Sequence, residues 1–442
     1  MELKMKSNTI NRRKFIKQVS GASLAVAGFP HLIAAKTLGR EGAVAPSEKI
    51  NMACIGVGGM GSINMKSFLD KNDVVVRAVC DVDKKHALRA QSAINRYYKN
   101  NDCQVYYDFR ELLARTDLDA VTIAVPDHWH ALIAIAAARR GLDIYGEKPL
   151  AFNIPEGRAL CNAVDRYGIV WQTGSWQRSE RHFRVACELV RNGRIGDVHT
   201  VLVGLPEGFT ATGKAFLPAE PVPAELDYEM WLGPAPWLPY HQDRCHFNFR
   251  WNNNFAAGII SDWGAHHLDI AHWGMGTEHS SPIEIEGKAD YPDGKDGLFN
   301  TPVTYKFAGK YAEGFRLIAA NASQQPKGMG THFIGSEGWV HVSRGGMDAS
   351  PKSLLKSVIG PGEIHLYKST DHTRNFLDCV RSRKKTITPA EVAHHSIMPG
   401  FLGSIAMRLG RKLQWDQKQE RFINDDEANR MLSRPMRSPW RL

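Results

Sequence analysis

A glycine-rich turn, Gly56-Val57-Gly58-Gly59-Met60-Gly61, falls between the apolar run "INMACIGVG" and an amphipathic helical segment over 60–69. In a strand–turn–helix setting the first glycine permits the tight turn and the second lets backbone approach a pyrophosphate. The third allows close helix–strand packing, and the helix N-terminus faces the phosphates. Asp81 closes the next apolar run, "VVVRAVCD", twenty residues after Gly61. A carboxylate there accepts hydrogen bonds from ribose hydroxyls and repels a 2′-phosphate. Asp83 adds negative charge, so the expected cofactor is NAD rather than NADP.

The alternation continues through a helix over 84–100, "LDAVTIAVP", a helix over 130–140, "LDIYGEKP", a helix over 155–167 and "GIVWQTG". Asn153 and Glu156 are placed as a capping box for the last of these helices. Repeated strand–helix units predict a doubly wound parallel sheet of the Rossmann type over 48–175. The rhythm then changes. After a helix over 181–193, "DVHTVLVGL" leads to a Pro-rich aromatic insert over 206–251. The runs "IEIEGKADY", "TPVTYKFA", "FRLIAANAS", "THFIGSEGWVHVS" and "EIHLYK" read as strands of a large, mainly antiparallel sheet. Helices over 372–382 and 390–411 complete an α+β domain over 176–411, and 412–442 reads as a mostly irregular tail.

The 442 residues carry a formal net charge of +10, of which residues 1–45 hold +6. The remaining +4 is spread without a basic run, which excludes a nucleic-acid footprint. "NRRKFIK" at 11–17 precedes a short apolar stretch and looks like a twin-arginine export signal, so 1–47 is read as signal and linker and the mature protein as periplasmic. That stretch is broken by Ser, Gly, Pro and His, so no stable membrane insertion is expected. Seven scattered cysteines with no C-x-x-C give no zinc or disulfide framework, and no metal site is expected.

Three clusters carry chemistry. Lys148 in "GEKPL" falls at the carboxyl end of a parallel strand, where it can donate to a substrate oxygen. "VPDHWH" ends the preceding strand at the same edge. Its His128 and His130 either line the nicotinamide pocket or serve packing beside a helix capped by Asp127. In "GIISDWGAHHLDIAHW" Asp262 and His266 are four residues apart, so on one helix the carboxylate orients an imidazole for proton transfer. His267, Asp269 and His272 are read as structural.

With the glycine loop, Asp81, "EKP" at 147–149, "DWGAH" at 262–266 and "GSEGW" at 335–339, the chain resembles the Gfo/Idh/MocA oxidoreductases over nearly all of 48–442. The resemblance implies that Lys148 orients substrate, that His266 is the general acid/base with Asp262 beside it, and that the bond before Pro149 is cis. It also implies cofactor contacts from Pro126, His130 and Glu147 besides the glycine loop and Lys148. Substrate contacts are expected from His128 and, in the insert, from His246, Arg250 or Trp251. The implied activity is oxidation of a secondary hydroxyl of a sugar, glycoside or polyol, preferentially at C3 of a glycoside. The cofactor is expected to be tightly held and recycled in place, in a homo-oligomer joined through the open sheet. Two alternatives share the scaffold: an NAD-dependent glycosidase working by oxidation, elimination, addition and reduction, and a non-catalytic sugar sensor.

Overall fold

Short runs of Val, Ile, Ala and Cys form strands buried on both faces, as a parallel sheet covered by helices requires. The computed structural model describes residues 44–209, 218–292 and 299–442. The segment read as an export signal, 11–17, lies outside the described residues. Of the unit Met1–Lys49, residues 44–49 are described, with a 3-10 turn at Pro46–Glu48. The unit Ile50–Leu442 contains both sheets.

The first sheet comprises β1 (Ile50–Ile55), β2 (Val74–Cys80), β3 (Gln104–Tyr106), β4 (Ala120–Ile123), β5 (Asp143–Gly146) and β6 (Trp171–Thr173). All pairs are parallel, in the order β3-β2-β1-β4-β5-β6. The order reverses between β1 and β4, the switch point where such sheets open a crevice. Helices α1 (Gly59–Leu69), α2 (Lys84–Tyr98), α3 (Asp127–Arg139) and α4 (Ile154–Tyr167) follow β1, β2, β4 and β5. Asp83 caps α2, accepting from the Lys85 and His86 N–H groups at 2.8 and 3.4 Å. At α4 the capping box is half formed: Asn153 accepts from the Glu156 N–H at 2.9 Å, but Glu156 answers the Asn153 side chain rather than its backbone.

The second sheet runs β13-β12-β11-β7-β10-β9-β8-β14-β15. Its strands are β7 (Val198–Leu205), β8 (Glu284–Asp290), β9 (Thr304–Lys310), β10 (Arg316–Asn321), β11 (Gly330–Gly335), β12 (Trp339–Ser343), β13 (Gly346–Ser350), β14 (Leu413–Asp416) and β15 (Arg421–Phe422). Only β7 and β10 pair in parallel among these neighbours. In β9, Tyr305 and Phe307 are buried while Thr304, Lys306 and Lys310 are exposed, so one face of the sheet meets a core and the other meets water. The covered face packs on α5 (Arg181–Arg191), α6 (Gly264–Met275) and α8 (Ala390–Leu409), with Val203, Phe307, Leu317 and Phe333 fully buried between. Helix α7 (His372–Ser382) instead sends Phe376 against Phe68 and Tyr145 of the first sheet's core.

Two sequence expectations fail here. "EIHLYK" is not a strand: the Ile364 N–H donates to Asn192 Oδ1 at 2.8 Å and the Leu366 N–H to Glu188 Oε1 at 3.0 Å. Side chains at the end of α5 thus satisfy the segment that was expected to join the sheet. The tail is more regular than expected, because β14 pairs with β8 and buries Trp415 against Phe422.

The segment from β6 to α5 is fixed by Arg178, which is 2 % exposed. Its Nε and Nη2 each donate to Asp269 at 2.7 Å, and Nη1 donates to Glu278. Ser396 of α8 donates to the same Asp269 at 2.6 Å. Removing one partner of a buried, hydrogen-bonded pair strands the other charge. Arg178→Met is therefore expected to lower unfolding free energy by about 3–5 kcal/mol, read from urea denaturation, and Arg178→Met with Asp269→Leu to recover part of that loss.

Candidate functional site

The carboxyl ends of β1, β2, β4 and β5 open into a cavity of about 480 Å³. Its floor is the glycine turn. Gly56 holds φ +77°, and a Cβ there would stand 2.4 Å from the Ala124 carbonyl oxygen. A Cβ at Gly61 would stand 1.9 Å from the Gly56 carbonyl oxygen, so neither position accepts a side chain. Helix α1 begins after its N-cap Gly58 without a side-chain cap, which leaves its first N–H groups for a ligand. Gly56, Gly58, Gly59 and Met60 line the cavity, whereas Val57 and Gly61 stand behind it. Val57 contributes through its backbone, donating to Asp81 Oδ2 at 2.9 Å, while the Asp83 N–H holds Oδ1 at 2.9 Å. Oδ1 keeps a lone pair for a ribose hydroxyl, while His86 Nδ1 stands 3.7 Å from Oδ2. A cradle that any Cβ would fill, an uncapped helix start and a carboxylate at the end of β2 together fit a dinucleotide.

The insert closes over this end. Asp83 bridges to Leu226, the Lys84 N–H donates to the Glu225 carbonyl, and the Asp227 N–H donates to the Val82 carbonyl, both at 2.9 Å. Within the insert Tyr228, Trp231, Leu232, Tyr240 and Phe249 form a small core of their own. His246 lands beside the cap of α2, with Nε2 3.5 Å from Asp83 Oδ2 and its ring centre 5.0 Å from that of His86. Asp81 raises the pKa of His86 against the opposing effect of burial, and burial together with His86 lowers that of His246. Donor atoms of Asp83, His86 and His246 lie within 4.8 Å of one another, a spread that fits a cation as well as their mutual pairing.

At the other end Lys148 leaves β5 with its Nζ donating to Asp262 Oδ1 and, at 3.2 Å, to the Asp262 carbonyl. Arg250 Nε stands 3.5 Å from the same Oδ1. Burial works against ionisation of Asp262, but Lys148 and Arg250 outweigh it and hold the carboxyl below its usual range. Glu147 is pushed the other way by burial, with Asn64 donating to its Oε1 at 2.9 Å. The Lys148–Pro149 peptide is cis.

His266 lines the cavity too. Burial and the nearby Lys148 and Arg344 charges depress its pKa well below the usual imidazole value, so the ring is neutral. The expected Asp262–His266 pairing is not what the chain forms. Trp263 separates a short helix, Ile259–Asp262, from α6, and the carboxylate turns to Lys148. His266 Nδ1 is left buried without a partner, so Nε2 is the nitrogen able to meet a substrate.

Several other expectations are corrected. His128 is buried off the cavity, its Nε2 3.1 Å from the Trp231 carbonyl, with burial pushing its pKa down to about 3. His130 does not face the cavity: its ring nitrogens lie 2.6 Å from the Pro149 carbonyl and 2.8 Å from that of Val125, so it supports the loop bearing Lys148. Trp251 stacks on Phe209, at 5.4 Å, inside the second core. Asp127 lies in the first turn of α3 and does not cap it, accepting instead from Ser261 Oγ at 3.3 Å. Pro126, Glu147 and Arg250 line the cavity. Sequence reasoning missed Trp176, Trp263 and Arg344, which complete the wall around His266. Trp263 sits inside the motif quoted for Asp262; nothing local marks Arg344.

The chain matches the oxidoreductase family's NAD-binding Rossmann fold over residues 50–175 and its C-terminal alpha/beta domain over 179–442. It belongs to the Gfo/Idh/MocA oxidoreductase family. Among curated relatives, myo-inositol 2-dehydrogenase of Thermotoga maritima is 23 % identical over 231 residues, covering 52 % of this chain and 56 % of that protein. Alpha-N-acetylgalactosaminidase of Shewanella oneidensis is 27 % identical over 212 residues, covering 43 % and 45 %. The chain thus spans about half the length of the curated relatives it matches. Scyllo-inositol dehydrogenase of Lactobacillus casei, solved with NAD(H) and scyllo-inositol, shares the fold at a TM-score of 0.57 and 16 % identity, covering 83 % of this chain and 99 % of that one. No described helix of this chain is long and apolar enough to cross a membrane.

Asp127 gives the site a pH signature. Burial pushes its pKa up to about 7, with Lys148 and Arg250 opposing and Asp262 adding to the rise. The folded protein therefore keeps a proton that the unfolded chain loses near 3.8, and the stability this confers is lost as pH rises through about 7. Asp127→Asn cannot ionise. Its stability relative to wild type should grow between pH 3.8 and about 7, by on the order of 4 kcal/mol, and level off above. Urea unfolding across that range checks it, and a pH-independent difference would refute it.

Proposed function

We propose that the protein is an NAD-dependent oxidoreductase acting on a secondary hydroxyl of a sugar, glycoside or polyol, with C3 of a glycoside as the preferred position. One observation carries the reading: Lys148, anchored by Asp262, and the neutral His266 face the same cavity as the glycine cradle. Bound NAD supplies the acceptor for the hydride that leaves carbon. Lys148 Nζ donates to the reacting oxygen and stabilises negative charge developing there. His266 takes the hydroxyl proton at Nε2, for which a neutral ring is required. Asp262, held ionised, keeps the ammonium aimed. Trp176 and Trp263 wall the cavity beside His266 and exclude water from it. Asp81 and Asp83 disfavour a 2′-phosphate, which supports NAD over NADP.

The alpha-N-acetylgalactosaminidase relative favours a second reading, in which oxidation is followed by loss of the aglycone, addition of water and reduction back. Both readings suit a retained cofactor, because the insert is pinned by main-chain bonds across the Asp81 end of the cleft. We extend the proposal to location: the twin-arginine segment at 11–17 directs export to the periplasm after folding with NAD already bound. The open face of the second sheet is the proposed contact of a homo-oligomer.

Lys148→Ala and His266→Ala should each lower kcat for sugar oxidation by roughly 10²–10⁴ while leaving bound NAD in place. Wild-type turnover of either variant would remove the role assignment. With a chromogenic glycoside and no added NAD, a keto-sugar as sole product supports the first reading and a released aglycone the second. Protein purified from the periplasm should release NAD(H) on unfolding, seen by mass spectrometry, and should keep it through extensive dialysis beforehand.

A further inference from the structure

Charge at the reacting end does not balance. Lys148 and Arg250 share Asp262, and that carboxylate is the one held below its usual range among the acids there. Glu147 and Asp127 are both pushed towards the neutral form by burial. A third cation, Arg344, stands at the turn between β12 and β13 and lines the same cavity. No carboxylate among the described residues comes within ion-pair distance of it. Its guanidinium carbon lies 4.4 Å from the Trp176 ring centre and 4.3 Å from that of Trp263. With the Gln177 amide oriented to donate to the His266 carbonyl, its oxygen accepts from Arg344 Nε at 3.2 Å. Among the described residues, neither terminal nitrogen has a hydrogen-bond or ion-pair partner.

A guanidinium flattened on indoles loses solvent and conformational freedom, and its planar fork is set in one orientation. Such a fork matches the two oxygens of a carboxylate. Trp176 and Trp263 also flank His266, with ring centres 6.5 and 6.0 Å away. A sugar ring laid over His266 therefore presents its rim to Arg344. An oxidised nicotinamide would add a further positive charge to this end, which neutral glycosides do nothing to offset.

We propose that Arg344 receives a carboxylate of the substrate, so that the preferred substrates are acidic sugars, uronic acids or uronosides, rather than neutral glycosides. This rests on reading the site as a sugar oxidoreductase. A phosphate offers the same oxygens but a second negative charge, for which one lone guanidinium is a poorer match.

The test uses matched pairs, methyl glucuronide against methyl glucoside and the galacto pair, with the full NAD-loaded protein and NADH absorbance as readout. Wild type should favour the acid, in the second-order rate constant for single-turnover reduction of its bound NAD, by roughly 10- to 100-fold. Arg344→Gln should bring that ratio close to one, and Arg344→Lys should leave an intermediate ratio, because charge is kept and the fork is lost. A wild-type ratio near one, an unchanged ratio in Arg344→Gln, or a preference for glucose 6-phosphate over glucuronate would overturn the proposal while leaving sugar oxidation standing. If Arg344→Gln does not fold, Arg344→Lys and the wild-type ratio decide. If no sugar is oxidised, the activity reading fails, and calorimetric titration of glucuronate into the NAD-loaded protein decides the subsite. Saturable binding that Arg344→Lys weakens supports it, and no binding overturns it.

Discussion

Arg178 cannot be solvated where it lies, so Asp269 and Glu278 have to meet it, and much of the arrangement follows from that meeting. The guanidinium belongs to the segment leaving β6, Asp269 to the helix that begins two residues before His266, and Ser396 to the long C-terminal helix. One buried charge pair thus ties the first sheet to the helix that carries His266. Buried ion pairs add little net stability over apolar packing, but they penalise every arrangement that separates them. The pair is best understood as fixing position.

Position is what the site needs. Lys148 comes from the end of β5 and Asp262 from the start of the α6 region, and their contact spans the cleft between the two sheets. His130 adds a second constraint by wedging its ring between the carbonyls of Val125 and Pro149. Neither His130 nor Arg178 faces the cavity, yet each limits where a group that does so can stand.

The glycine turn, the alternation of short apolar runs with helices, and the acid at Asp81 were legible because each is a local pattern with one structural solution. Lys148 was legible for a similar reason, since a strand end in a parallel sheet has a known edge. The Asp262–His266 pairing misled because four-residue spacing implies a shared face only on an unbroken helix, and Trp263 interrupts this one. His128 and His130 look like pocket residues by position, but backbone carbonyls from elsewhere claim their rings. Arg344 carries no signal at all: its meaning comes from Trp176 and Trp263, brought to it by the fold across more than eighty residues of sequence. "EIHLYK" had the alternation of a strand and lost the competition to Asn192 and Glu188.

The free edge of β6 has a consequence for how the chain is made. Thr173 donates its N–H to the Thr388 carbonyl at 2.9 Å, and the Thr386 and Thr388 hydroxyls cap the Trp171 and Thr173 carbonyls. Helix α8 then lays Ala390 and Ala393 into the core of the first sheet. The first sheet is therefore completed by residues more than two hundred positions further along the chain. In the second sheet β7 must wait for β10, more than a hundred residues later, before its parallel partner exists. Such high contact order predicts slow folding, because neither sheet has all its partners until distant segments of the chain meet.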